Sequence, residues 1–225
     1  MDPTTIWLTL KLATCTTGIL FVIGVPLAYW IAKSKWKGKF LVEAVVALPL
    51  VLPPTVLGYY VLIATGPKSF VGRGYEYLTG SRLAFSFSGI LIGSILYNLP
   101  FAVRPFALAF AAVDRKLVEA SWCLGSSRTG TFFRVVMRLS WPGILTGLIL
   151  TFAHTVGEFG IVLMVGGNIP GVTRTLSIAI YDDVQALNYE PAGQTALVLV
   201  AFAFAALCVT SVLQPRVAWS VERGA

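Results

Sequence analysis

The residue types best suited to chemistry lie in one short stretch, His154-Thr155-Val156-Gly157-Glu158. On a helix, residues four apart are neighbours on one face. A histidine and a glutamate so placed can act as acid and base or supply two ligands to a metal. They can equally form an internal hydrogen-bonded pair that holds helices together. His154 is the only histidine in the chain, and no second His-rich or Asp-rich cluster accompanies it. A metal site with three or four protein ligands is hard to assemble from this set, so no metal and no cofactor are expected. Glu158 sits in an otherwise apolar run. A charge at membrane depth costs roughly 2.5 kcal/mol or more, so Glu158 should face a bundle interior or water. A second unusual stretch is Leu48-Pro49-Leu-Val-Leu-Pro53-Pro54-Thr55, also within an apolar run. Each proline removes a backbone donor and clashes with the preceding turn. The prolines either kink a helix for packing or break it where it lines a pathway.

The elements that must position these residues are membrane helices. The chain has 225 residues, 56% hydrophobic and 12% charged, whereas a soluble domain carries roughly a quarter charged residues. Five apolar runs are long enough to cross the bilayer: Trp7 to Ala32, Phe40 to Thr65, Leu83 to Ala102, Trp141 to Val165 and Thr195 to Leu213. Backbone groups in lipid need internal hydrogen bonds, and the alternation of a barrel is missing, so each run is expected to be helical. The expected class is therefore all-α, one polytopic helical bundle spanning residues 1–225 with about five crossings. The first run is too long for a signal peptide and has no small-residue cleavage pattern, so it is expected to be retained.

The net charge of +7 does not call for nucleic acid, because the basic residues sit in short loops between apolar runs. Four lysines fall within residues 33–39, six basic residues lie between Arg104 and Arg138, and Arg216 and Arg223 are in the tail. These twelve contrast with Lys68, Arg73, Arg82 and Arg174 in the other loops. The positive-inside rule then places the amino terminus outside and the carboxyl terminus in the cytoplasm. Cys15, Cys123 and Cys208 are odd in number and lack metal-type spacing, so neither a disulfide framework nor a metal site is expected.

The loop from Val113 to Trp141 carries the most specific signal. Leu117, Ala120 and Leu124 fall at i, i+3 and i+7, one face of a short helix. Asp114 suits its cap, and Gly125 suits the position just past its end. Phe132 and Phe133 add two large apolar groups. A short amphipathic helix between spans must lie on lipid headgroups or dock into a soluble partner, and the small residues Ala120, Ser121 and Gly125 favour protein. The sequence Glu119-Ala120-Ser121-x3-Gly125 resembles the EAA loop of permease subunits in bacterial ABC importers. That resemblance implies a type I ABC importer permease fold in which the loop is a coupling helix seated on an ATP-hydrolysing subunit. Two departures stand out. The second alanine of the motif is Ser121, and the later Ile-x-Leu-Pro is replaced by Val135-Val136-Met137-Arg138, with a proline only at Pro142.

Two further stretches resemble molybdate permeases: Leu48 to Tyr59, and Phe152 to Gly160 followed by Gly167-Asn168-Ile-Pro170-Gly171-Val-Thr-Arg174-Thr-Leu. The Gly-Glu-Phe-Gly and Asn-Ile-Pro elements also occur in sulfate/thiosulfate permeases. The resemblance covers nearly the whole chain. It implies a bacterial inner-membrane location, two ATP-binding subunits, an external oxyanion-binding protein and pairing with a second copy of the chain. The expected cargo is molybdate or tungstate, with sulfate or thiosulfate as the alternative and an intramembrane enzyme using His154 and Glu158 as a remote one. ATP hydrolysis is expected in the partner, because the chain has no Gly-x4-Gly-Lys-Ser/Thr loop. Pro53, Pro54, Thr55 and Glu158 are the candidates for the path or its gate. A carboxylate repels an oxyanion, so Glu158 fits a gate better than a binding group. No run has a lysine or arginine at its centre, so high affinity should reside in the external partner.

Overall fold

In the computed structural model, residues 2–213 are described, and every element among them is helical. The tail residues Arg216 and Arg223, invoked for orientation, lie outside this range. The first helix, α1 (Pro3–Lys33), starts with Pro3 at its first position and Asp2 as its cap, which accepts from the Thr4 amide at 3.0 Å. Proline is tolerated there because that N–H would have no partner anyway.

The run over 40–65 is not one helix. It divides into α2 (Lys39–Val51) and α3 (Pro54–Thr65), which meet at an angle of 112°. Leu52 and Pro53 are extended, and Pro54 opens α3. The residue before a proline is pushed out of the α region, so consecutive prolines convert a kink into a break. A short α4 (Phe70–Thr79) follows, ending at Gly80. The next span, α5 (Phe87–Ala111), starts at a Ser86 cap and runs past the expected end at Ala102, through Pro105.

The loop expected over 113–141 is largely helical. After α6 (Arg115–Cys123), a new helix begins at Ser127, whose hydroxyl accepts from the Gly130 amide at 3.1 Å. It continues as α7 (Arg128–Thr131), a π-helical turn (Phe132–Val136) and α8 (Met137–Val156). The fourth apolar run, expected to reach Val165, is interrupted after Val156 and resumes as α9 (Gly160–Gly166). Then come α10 (Leu176–Gln185) and the long α11 (Tyr189–Leu213). Among the described residues, four helices are long and apolar enough to cross a membrane, and the bent α2–α3 pair supplies a fifth crossing if it forms one span.

Helix α5 is the hub, packing on α1, α2, α3, α8 and α9. Phe106 is fully buried, and glycines surround its ring. A Cβ on Gly147 would lie 2.7 Å from the ring, and one on Gly24 would lie 3.3 Å away. Small residues let membrane helices approach closely, which is where their packing energy comes from. A second buried cluster, with Leu12, Val61, Ile90, Ile161 and Val165, ties α3, α5 and α9 to α1.

Candidate functional site

The break between α8 and α9 is the feature that makes a site. Helix α8 ends at Val156 with Gly157 as its cap, and Phe159 offers no side-chain cap to α9. Thr151 and Thr155 turn their hydroxyls back onto the carbonyls four residues earlier, at 2.8 Å each. They satisfy themselves within the membrane and loosen the end of the helix. Glu158 therefore lies in the gap rather than on a helix, and His154 and Glu158 are not stacked on one helical face.

Asn98 joins them. Its Nδ2 donates to Glu158 Oε2 at 2.7 Å and to the Ser94 carbonyl at 2.9 Å, while its Oδ1 lies 2.8 Å from His154 Nδ1. Ser94 donates to the other Glu158 oxygen at 3.1 Å. Both carboxylate oxygens are thus occupied by donors from α5, and Glu158 is only 4% exposed. A buried acid is tolerable only when hydrogen-bonded in this way. The His154 ring is stacked on Phe101, with centroids 3.9 Å apart, and lies near Tyr97.

An open cavity of about 570 Å³ adjoins this network. It brings together Pro54 and Thr55 from the start of α3, Tyr97 from α5, His154 and Glu158, and Gly160 from α9. Pro53 is the cap residue of α3 and is not among the lining residues. The two broken helices meet through close approaches. A Cβ on Gly160 would lie 2.8 Å from the Pro54 Cβ, and one on Gly58 would lie 2.8 Å from the Met164 Cβ. The proline break and the glutamate, distant in sequence, are walls of one cavity. The sequence reading missed Ser94, Tyr97 and Asn98. Polar residues in an otherwise apolar run, four apart for Ser94 and Asn98, were the available signal.

A second candidate surface is α6. The Asp114 side chain accepts from the Lys116 amide at 2.9 Å and caps it. Gly125 has φ of +81°, its amide reaches the Trp122 carbonyl, and the Ser126 amide reaches the Ser121 carbonyl at 3.1 Å. This is a Schellman ending, in which glycine supplies the left-handed residue. No residue of α6 is buried. Leu117 is half exposed and Leu124 is 86% exposed, so these two apolar side chains are not covered among the described residues. Glu119 pairs with Arg115 at 2.7 Å on the water-facing side. Ser121 and Thr131 share a hydrogen bond at 3.0 Å. The next residue, Phe132, packs edge-on against Tyr29 at 4.9 Å. The exposed helix is thus linked to the core directly by Val118, which packs against it, and in two steps through Thr131 and Phe132.

Residues 24–219 match the family model for the binding-protein-dependent transport system inner membrane component. The chain belongs to that family. It is also similar to the molybdenum transport system permease protein ModB of Azotobacter vinelandii, with 47% identity over 92% of this chain and 91% of that protein. The ModB protein of Escherichia coli K12 is 35% identical over 93% of both chains. Among solved structures, a chain of the bacterial alginate ABC transporter in complex with alginate pentasaccharide-bound periplasmic protein gives a TM-score of 0.72 at 18% identity. That match covers 95% of this chain and 78% of the other. The all-α bundle therefore has the ABC importer permease fold, and this family member is a multi-pass membrane protein.

Proposed function

We propose that this family member is the membrane-spanning subunit of an ATP-driven importer for an oxyanion, molybdate or tungstate, in the bacterial inner membrane. The observation that carries the reading is the α6 surface. It is a capped amphipathic helix with no buried residue, tethered through Thr131 and Phe132 to the bundle. Its small residues Ala120, Ser121 and Gly125 favour a soluble partner over lipid, and the resemblance of Glu119-Ala120-Ser121-x3-Gly125 to the EAA loop points to an ATP-binding subunit. The molybdate assignment draws on the ModB relatives.

In this mechanism two copies of the chain enclose one path, and two ATP-binding subunits press on their α6 helices. The motion enters the bundle through Phe132 and rocks the helices between inward and outward access. Glu158, Pro54 and Thr55 form the gate at the break, with Pro53 setting the turn. The amino terminus faces outward and the carboxyl terminus the cytoplasm. An external binding protein then docks on the side of α10. There Arg174 pairs with Asp182 at 2.8 Å, and Asn168 bonds to both.

Competition for uptake tests the substrate class. With vesicles carrying the assembled transporter, tungstate at equal concentration should suppress molybdate uptake by about half, and sulfate at the same concentration should not. Stronger suppression by sulfate than by tungstate would reassign the cargo to sulfate or thiosulfate.

A further inference from the structure

We infer that His154 is the side chain through which the path touches the travelling anion, acting as an imidazolium, with Glu158 as its buried counter-charge relayed through Asn98. This rests on the oxyanion reading above. The Asn98 amide fixes which ring nitrogen carries the permanent proton. The Ser94 carbonyl can only accept, so the group 2.9 Å from it must be Nδ2. Oδ1 then faces His154 Nδ1 at 2.8 Å and can only accept. Nδ1 therefore carries a proton in both charge states of the ring.

The ring's variable position is Nε2. It has no hydrogen-bond partner among the described residues, and the ring lines the cavity. Neutral imidazole turns a lone pair towards the cavity, which repels an anion. Imidazolium turns an N–H and a positive charge towards it. Nε2 takes its proton from a hydronium ion of the solution when the anion arrives and returns it to water as hydronium when the anion leaves, so the balance closes in each passage.

Glu158 cannot take the anion's place or meet it directly, because both of its oxygens already accept from Asn98 and Ser94. It lines the same cavity as the ring and is joined to it through Asn98. Tyr97 is the other titratable group beside the ring, with centroids 5.3 Å apart. From α3 and α9 the cavity receives Pro54, Thr55, Phe159 and Gly160, none of which titrates. Helices α1 and α11, which also pack on α8, add no residue to the lining; Lys11 of α1 lies over the Phe87 ring. With no lysine or arginine among the lining residues, the cavity's positive charge depends on this one proton.

The test uses the complete transporter in vesicles, with labelled molybdate as the probe and the amount of assembled complex as the control. Wild-type uptake should fall about tenfold as pH rises through the imidazole range, from about 5.5 to 8.5. His154→Phe should lose about tenfold or more at the acid end. His154→Arg, which keeps a fixed cation, should retain uptake at the alkaline end and flatten the profile. A flat wild-type profile overturns the inference. So does a His154→Phe variant with wild-type uptake, or a His154→Arg variant that loses uptake while remaining assembled. Each of these results leaves the oxyanion reading intact. A wild-type transporter that takes up no oxyanion at any pH contradicts that reading itself.

Discussion

Asn98 donates to Glu158 at 2.7 Å across sixty positions of the chain, and the same amide accepts from His154. One side chain of α5 thereby holds the end of α8 and the start of the α8–α9 break together. Removing it leaves a buried carboxylate short of a donor, which costs about 1–3 kcal/mol or more. Asn98→Leu should lower the thermal stability of the detergent-solubilised complex and reduce uptake. Asn98→Asp should be worse, because it sets two carboxylates against each other. Thermal unfolding of the two variants side by side checks this, and an Asn98→Asp complex as stable as wild type would refute it.

Glu158→Gln tests the gate. The new amide nitrogen would either face the Asn98 donor, losing that bond, or face the Ser94 hydroxyl, which would turn to accept; in both cases the site loses its carboxylate. Transport should fall about tenfold while the ATP-binding subunits remain attached, since α6 is untouched. Uptake and ATPase activity need to be measured separately. Unchanged substrate-dependent uptake would remove Glu158 from the gate.

At α6, Leu124→Glu should leave folding intact, because Leu124 is 86% exposed, yet prevent co-purification of the ATP-binding subunit. Gly125→Val acts differently. Its φ of +81° favours glycine, and a branched residue there costs roughly 1–2 kcal/mol. The helix end should unwind and ATPase stimulation by substrate should be lost. Retention of the ATP-binding subunit by Leu124→Glu would move the docking surface elsewhere.

The junction of the broken helices has its own test. A Cβ on Gly160 meets the Pro54 ring carbon at 2.8 Å, and one on Gly58 meets Met164 as closely at the same junction. Gly160→Leu should force α3 from α9 and abolish uptake, whereas Gly74→Ala, with open space around it, should be silent. Equal uptake by both variants would argue that the junction is slack.

These variants probe a site only half visible in the sequence. The apolar runs, the capped α6 and the glycine at its end were legible because each follows from local rules of periodicity and capping. The 112° break was foreshadowed by Pro53 and Pro54, although their number does not say whether a helix kinks or parts. The interruption at Gly157–Phe159 was hidden, because nothing in an apolar run with a single glutamate says that the helix stops. The role of Asn98 was hidden for another reason. Its partners His154 and Glu158 lie more than fifty residues away, and only the packing of α5 against α8 and α9 brings them within hydrogen-bonding distance. The helical start at Ser127 was masked by the charged residues around it, which read as loop although the Ser127 cap is local.

The central claim is that this chain carries an oxyanion through the membrane at the expense of ATP hydrolysed by a partner. Its most direct test is accumulation of labelled molybdate in sealed vesicles holding the chain with its ATP-binding subunits and external binding protein. Accumulation should require ATP on the ATPase side and should stop when Leu124→Glu replaces the wild-type chain. Accumulation that proceeds without ATP, or that survives Leu124→Glu undiminished, would contradict the account.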